Sequence, residues 1–408
     1  MWLRKICGSR TAKRGKRYIG NLGASDPVNK VFDQEQQIDG APASDGLVVK
    51  VANLDALRAV AVLLVLVDHV LGTISVKHPS FTAHPYDWAL GRLGVLLFFV
   101  HTSLVLNYSM TRLNLTGWML VRSFLVRRAF RIYPLSVACV LIVVILRIPD
   151  VPWHHEWVWN GWPNLVSNLA LTTNLTFSAP VLGPLWSLPI EVQMYMALPL
   201  MFLVCMRGHR RIHLVFGLWI GSLVVAYVQP IISDRLSVFG FAPYFIAGVL
   251  CFTLTCDGRD RSRISASFWV PALLALVCLY LIIQPFAGGI YSKPLQCAFC
   301  LIVALLIPLF RDSTAISLNQ ITHVVAKYSY GIYLFHCIAL SIACGSSSGL
   351  PEAAQWVLAL ILLTVASVAS FHLLEKPAID YGARVAARFT TKRGYPTEAR
   401  TAAVPTQG

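Results

Sequence analysis

LDALRAVAVLLVLVDHV, from Leu54 to Val70, is apolar enough to cross a membrane, yet it carries an arginine and an Asp-His pair within it. A run of this length and composition reads as one transmembrane helix. Ionisable side chains within hydrocarbon cost about 2.5–3.5 kcal/mol each even on the lenient insertion scales, and they persist where they face a bundle interior and do something. Arg58 and His69 are eleven residues apart. That is about three turns plus 20°, so both project from one face, about 16 Å apart along the axis. Asp68, next in the chain, projects about 100° away from His69. One face of the helix therefore presents a cation at one level and a proton carrier at another.

The rest of the chain is of the same kind. Of 408 residues, 56% are hydrophobic and 13% charged, and the mean hydropathy is +0.63. These values predict an all-α fold, a polytopic membrane bundle. Apolar windows fall near 54–76, 91–110, 132–148, 186–206, 212–232, 238–256, 267–286, 294–310, 328–345 and 353–374. About ten spans return both termini to one side. Arg112, Arg122, Arg127, Arg128, Arg131, Arg207, Arg210, Arg211, Arg259, Arg261 and Arg263 gather in the connections of that side, whereas the opposite connections hold few cations. The positive-inside rule thus puts both tails in the cytoplasm of a multi-pass plasma-membrane or inner-membrane protein. The net charge of +15 follows from these basic loops, and no nucleic-acid partner is expected.

Three parts are expected: a basic, aperiodic tail over 1–50 without the apolar core of a signal peptide, a transmembrane domain over 51–376, and a cytoplasmic tail over 377–408. Residues 149–185, with four tryptophans in VPWHHEWVWNGWPN, read as an outer loop with a surface helix. Most of the ten cysteines lie in apolar runs and pack as small hydrophobes. Cys297 and Cys300 form a CxxC without a second pair, and no metal site is expected.

Three further clusters carry chemistry. SFLVRRAFRIYPL sets Arg127, Arg128 and Arg131 at the inner end of the third span beside Tyr133. They serve either as a topology anchor or as a clamp for cytosolic phosphates. GPLWSLPIEVQMY places Ser187, Glu191 and Tyr195 at i, i+4 and i+8, on one face, with Glu191 about 7 Å into its span. A carboxylate there needs a cation or histidine from a neighbouring helix. KYSYGIYLFHCIAL puts Ser329, Tyr333 and His336 on one face, where the histidine is either functional or a hydrogen-bonded core residue.

These segments, in order, resemble acyltransferase family 3, the polytopic membrane O-acyltransferases that modify cell-surface and secreted sugars. LDALRAVAVLLVLVDH is similar to its first-span pattern of arginine, ten residues, histidine. GVLLFFVHTSLVL resembles GVDxFFVLSGFLI, and RRAFRIYPL resembles the basic RIxP element. GPLWSLPIEVQMYMALPL is similar to LWSLSVEEQFYLxxPL, SYGIYLFHCIAL to SYSLYLWHxPL, and FHLLEKPAI to YxxIEKPF. Three positions depart from the pattern: Thr102 and Ser103 stand where the family has a small Ser-Gly pair, and Val192 replaces the second glutamate. The resemblance implies transfer of an acyl group, acetyl foremost, from cytosolic acyl-CoA as co-substrate to a hydroxyl of a glycan or glycolipid acceptor. No bound cofactor is implied. His69 would be the general base, oriented by Glu191 or His336, with Asp68 beside it. Arg58, Arg127, Arg128, Arg131 and Tyr133 would hold the donor, and Ser187, Tyr195 and Tyr333 would line the pocket. No hydrolase-like domain follows the spans, so transfer by one protein is expected. A secondary transporter or lipid-linked sugar flippase is the competing reading of the same intramembrane charges.

Overall fold

The computed structural model describes residues 51–80, 88–152, 156–205, 211–256, 263–287, 292–345 and 349–391. The tails over 1–50 and 392–408, and Arg207, Arg210, Arg259 and Arg261 of the basic loops, lie outside them. Among the described residues there is no strand, only an isolated bridge between Ile264 and Phe310. The long helices are α1 (Val51–Lys77), α2 (Ala89–Leu113) and α3 (Gly117–Leu146). After two short helices, α4 (Gly161–Leu169) and α5 (Thr173–Thr176), come α6 (Ser187–Cys205), α7 (Arg211–Ile232), α8 (Ser237–Thr255) and α9 (Trp269–Ile283). The last are α10 (Lys293–Leu306), α11 (Ile316–Cys344), α12 (Glu352–Ser370) and α13 (Lys376–Thr391).

Eight helical segments are long and apolar enough to cross a membrane. The two other apolar windows are helical as well: α10 is short, and α11 is long but dilutes its apolar half with Asn319, Gln320, His323 and Lys327. Large exposed apolar side chains, such as Ile145, Ile231, Leu360 and Leu373, cover the outside. With no water to satisfy a lipid-facing backbone, a closed helical bundle is the arrangement that such a surface demands. This is a multi-pass membrane protein.

The bundle core is α1 between α2 and α11, with α8 behind α2 and α12 behind α11. Glycines allow the closest approaches. A Cβ on Gly94 would meet the Ala61 carbonyl of α1 at 2.5 Å, and one on Gly248 of α8 would meet Ser103 Oγ at 2.0 Å. Ser103, one of the departures from the family pattern, is wholly buried there, so the close contact survives with the small residue moved to the partner helix.

Helix α3 begins about four turns before its apolar window, at Gly117. The arginines therefore sit in mid-helix rather than at its start. Nothing between Gly117 and Pro134 breaks a helix, and Leu120, Val121 and Phe124 supply a buried stripe that the window count passes over. The 149–185 loop does carry the expected surface helix, α4, but it is also stitched to the bundle. Asn168 donates to the Asn164 and Ala179 carbonyls and accepts from Val181 N–H at 2.9 Å, and Gly183 N–H reaches the Asp150 carbonyl at 2.7 Å. Beyond α12 a π-helical turn, Phe371–Glu375, leads into α13, which occupies much of the segment read as a tail and packs on α3. Phe130 of α3 sits where a Cβ on Gly382 would be, at 2.5 Å.

Candidate active site

Five helices converge on a cavity of about 100 Å³. Arg58 comes from α1, His101 and Thr102 from α2, Arg128 and Arg131 from α3, Ser187, Glu191 and Tyr195 from α6, and Ser329 and Tyr333 from α11. The i, i+4, i+8 spacing on α6 thus puts all three of its polar residues on one wall, and Tyr195 donates to Glu191. Arg58 Nε donates to Ser329 Oγ at 2.6 Å, which fixes the plane of the guanidinium. Arg131 pairs with the buried carboxylate of Glu375, Nη2 to Oε1 at 3.4 Å. Three guanidiniums facing one carboxylate from within this cavity leave it rich in positive charge and in forked donors.

A second cavity, of about 220 Å³, contains His69. Its walls also include Asp68, Trp88, Gly91, Arg92, Pro184 and Trp186. Gly91 makes room for Asp68, whose Oδ2 lies 2.6 Å from where a Cβ would stand. Trp88 opens α2 in the left-handed region, at φ 69°, and its ring meets His69 edge-on at 6.1 Å. A non-glycine residue held there is strained by about 1–3 kcal/mol, and such strain clusters at functional sites.

His69 is oriented by its own helix. Its Nδ1 lies 2.9 Å from the Val65 carbonyl, and because a carbonyl only accepts, Nδ1 carries the hydrogen and Nε2 is the basic nitrogen. His336 repeats the arrangement one helix away, with Nδ1 3.2 Å from the Ile332 carbonyl and Nε2 buried without a hydrogen-bond partner among the described residues. The two rings stand edge-to-face with centroids 4.7 Å apart. Cys337 joins them: its sulfur and one nitrogen of each histidine lie within 4.8 Å of one another.

The sequence-predicted residues divide between the two cavities. Arg58, Arg128, Arg131, Ser187, Glu191 and Tyr195 line the first, Asp68 and His69 the second, with His336 against His69. Tyr333 lines both. Glu191 is therefore brought to the arginines, not to His69. Arg127 lines neither cavity, and Tyr133 donates to the Ala170 carbonyl at 3.2 Å, outside both. Sequence reasoning passed over Glu375, His101, Arg92, Trp88 and Cys337. Glu375 had a signal, since it stands in the quoted EKP element, where a lone carboxylate closing an apolar run needs a cation.

The family model described as the acyltransferase domain matches residues 51–373, which hold every one of these site residues except Glu375. The chain belongs to this family. As a family member it is similar to a peptidoglycan O-acetyltransferase of Listeria monocytogenes, 27% identical over 190 residues, covering 42% of this chain and 27% of that protein. It is also similar to a Staphylococcus aureus protein named "Putative O-acetyltransferase", 26% identical over 325 residues, covering 71% of this chain and 51% of the relative. This acyltransferase-family chain thus spans about half, or less, of the curated relatives it matches. No solved structure matches it.

Proposed function

We propose that this protein is an O-acyltransferase of the bacterial inner or plasma membrane. It transfers acetyl or a similar acyl group from cytosolic acyl-CoA to a hydroxyl of a cell-surface glycan, with peptidoglycan among the acceptors that the relatives' names suggest. The observation that carries the reading is the pairing of the two cavities: a guanidinium-lined chamber adjoins a histidine whose Nε2 is the basic nitrogen. Phosphates and the amide-rich arm of a coenzyme A suit the forked donors of Arg58, Arg128 and Arg131. The acceptor hydroxyl would enter the His69 cavity from the other side.

In the reaction, His69 Nε2 takes the proton of the acceptor hydroxyl as its oxygen attacks the thioester carbon. The C–S bond breaks as the new C–O bond forms, and the leaving thiolate receives the proton from His69. The Val65 carbonyl holds Nδ1 and leaves Nε2 to exchange the proton, and the second imidazole at His336 accommodates the positive charge as a neighbouring acceptor. Glu191 balances the guanidinium charge and holds Tyr195. The 51–376 segment carries this chemistry, and the tails remain in the cytoplasm.

The test is transfer of radiolabelled acetyl from acetyl-CoA to surface glycan in membranes holding wild type or His69→Ala at matched level. Label lost only in the variant supports transfer and base together. Label in both overturns His69 as the base, and label in neither overturns transfer from this donor.

A further inference from the structure

The two cavities share two wall residues, Val95 and Tyr333. The Tyr333 hydroxyl donates to the Pro184 carbonyl at 2.6 Å and accepts from Ser187 Oγ at 2.7 Å. Pro184 lines the His69 cavity and Ser187 the arginine cavity, so this latch straddles their boundary. The ring is pinned as well: Phe98 meets it edge-on with centroids 6.1 Å apart, and Tyr333 is 6% exposed. A side chain fixed at its tip and along its ring is a wall, not a flexible lining. If the donor's phosphates rest on Arg128 and Arg131 and the proton is taken at His69, the acyl group must come past Tyr333, far end first.

We infer that Tyr333 sets the length of acyl group that the enzyme transfers. The inference rests on the acyl-transfer reading of the same site. A two-carbon group slips beside the ring to reach His69, whereas each further methylene meets a packed aromatic face with no room to yield. Shape exclusion of this kind discriminates about 10–200-fold per methylene. Two extra methylenes therefore place acetyl ahead of butyryl by at least about a hundredfold. The hydroxyl latch keeps the ring across the gap, and the ring supplies the bulk.

The experiment uses the full chain in native membranes, with acetyl-CoA and butyryl-CoA each labelled in the acyl group, and reads the ratio of the two labels in glycan for wild type, Tyr333→Leu and Tyr333→Phe. Wild type is expected to favour acetyl at least about a hundredfold. Tyr333→Leu should erase most of that preference by raising butyryl transfer, and Tyr333→Phe, which keeps the ring and its contact with Phe98 but loses the latch, should retain part of it. If Tyr333→Leu fails to accumulate in the membrane, Val95→Ala widens the junction at the other residue the two cavities share and should move the ratio the same way. A wild type that uses both donors equally overturns the filter without any variant, as does an unchanged ratio in Tyr333→Leu. Label from neither donor overturns acyl transfer itself, which a lost preference alone does not.

Discussion

Because Nδ1 of His69 is committed to the Val65 carbonyl, only one nitrogen of that ring can exchange a proton with a substrate. His69→Gln keeps an acceptor oxygen near the Nε2 position but removes the base. It is expected to lower kcat by about 10²–10⁴-fold at saturating acetyl-CoA, the usual contribution of general base catalysis. Ser329→Ala probes the other cavity. It takes the acceptor from Arg58 Nε, a charged hydrogen bond of about 1.5–3 kcal/mol, so KM for the acyl donor should rise about tenfold or more while kcat changes less. Glu375→Ala strips Arg131 of its buried partner. Thermal unfolding in detergent should show a loss of about 3 kcal/mol or more, since an uncompensated charge is left behind. At this scale the sequence was most legible where spacing on one helix was enough: Arg58 with His69, and Ser187 with Glu191 and Tyr195. It was mute on which helix faces which. Glu191 was as good a partner for His69 as for the arginines until α6 was set against α3, and Cys337 looked like one more small hydrophobe until α11 was set against α1.

Helix contacts here depend on missing side chains as much as on present ones. Gly248→Leu would drive a side chain into Ser103 Oγ and the Val100 carbonyl, 2.0 and 2.2 Å from an ideal Cβ. It is expected to abolish folded protein in the membrane, read as loss of a monodisperse peak on size exclusion. Gly217→Ala and Gly221→Ala, with nothing within 4 Å, are the matched controls and should leave that peak intact. The positions of the helices were largely written in the apolar windows, but their starts were not. Hydropathy finds the stretch that suits lipid, whereas α3 and α11 run on for several turns through arginine, asparagine and histidine because those turns bury one stripe against protein. The stitching of the 149–185 loop was equally hidden. Asn168 is an unremarkable amide in a polar stretch until its side-chain hydrogen bonds are seen to hold the turn that delivers Gly183 to Ser187.

Taken as a whole, the bundle is polarised. The ends of α1 and α11 near Asn53 and His323 are tied by Asn53 Nδ2 to the Arg311 carbonyl at 2.8 Å and by His323 Nδ1 to Asp55 at 2.8 Å. The other end of α1 is tied to α12, by Lys77 to Gln355 and by His78 to Glu352 at 3.0 Å. The arginine cavity lies between these two levels, with Arg58, Arg128 and Arg131 in its wall. Reporter fusions should read cytoplasmic at the C-terminus and external within 156–182, and an external reading at the C-terminus would reverse the route of the donor.

The π-helical turn at Phe371–Glu375 carries a consequence for how the gene can change. A wide turn holds one residue more than an α-turn would, and it absorbs that residue without changing the phase between α12, seated on α11, and α13, seated on α3. Removing a single codon within Phe371–Leu374 would let the turn close to an ordinary α-turn, with Glu375 still against Arg131 and Gly382 still against Phe130. A further inserted residue has no such turn to absorb it and would rotate one flank by about 100° against the other. This stretch should therefore tolerate a one-residue deletion and reject a one-residue insertion.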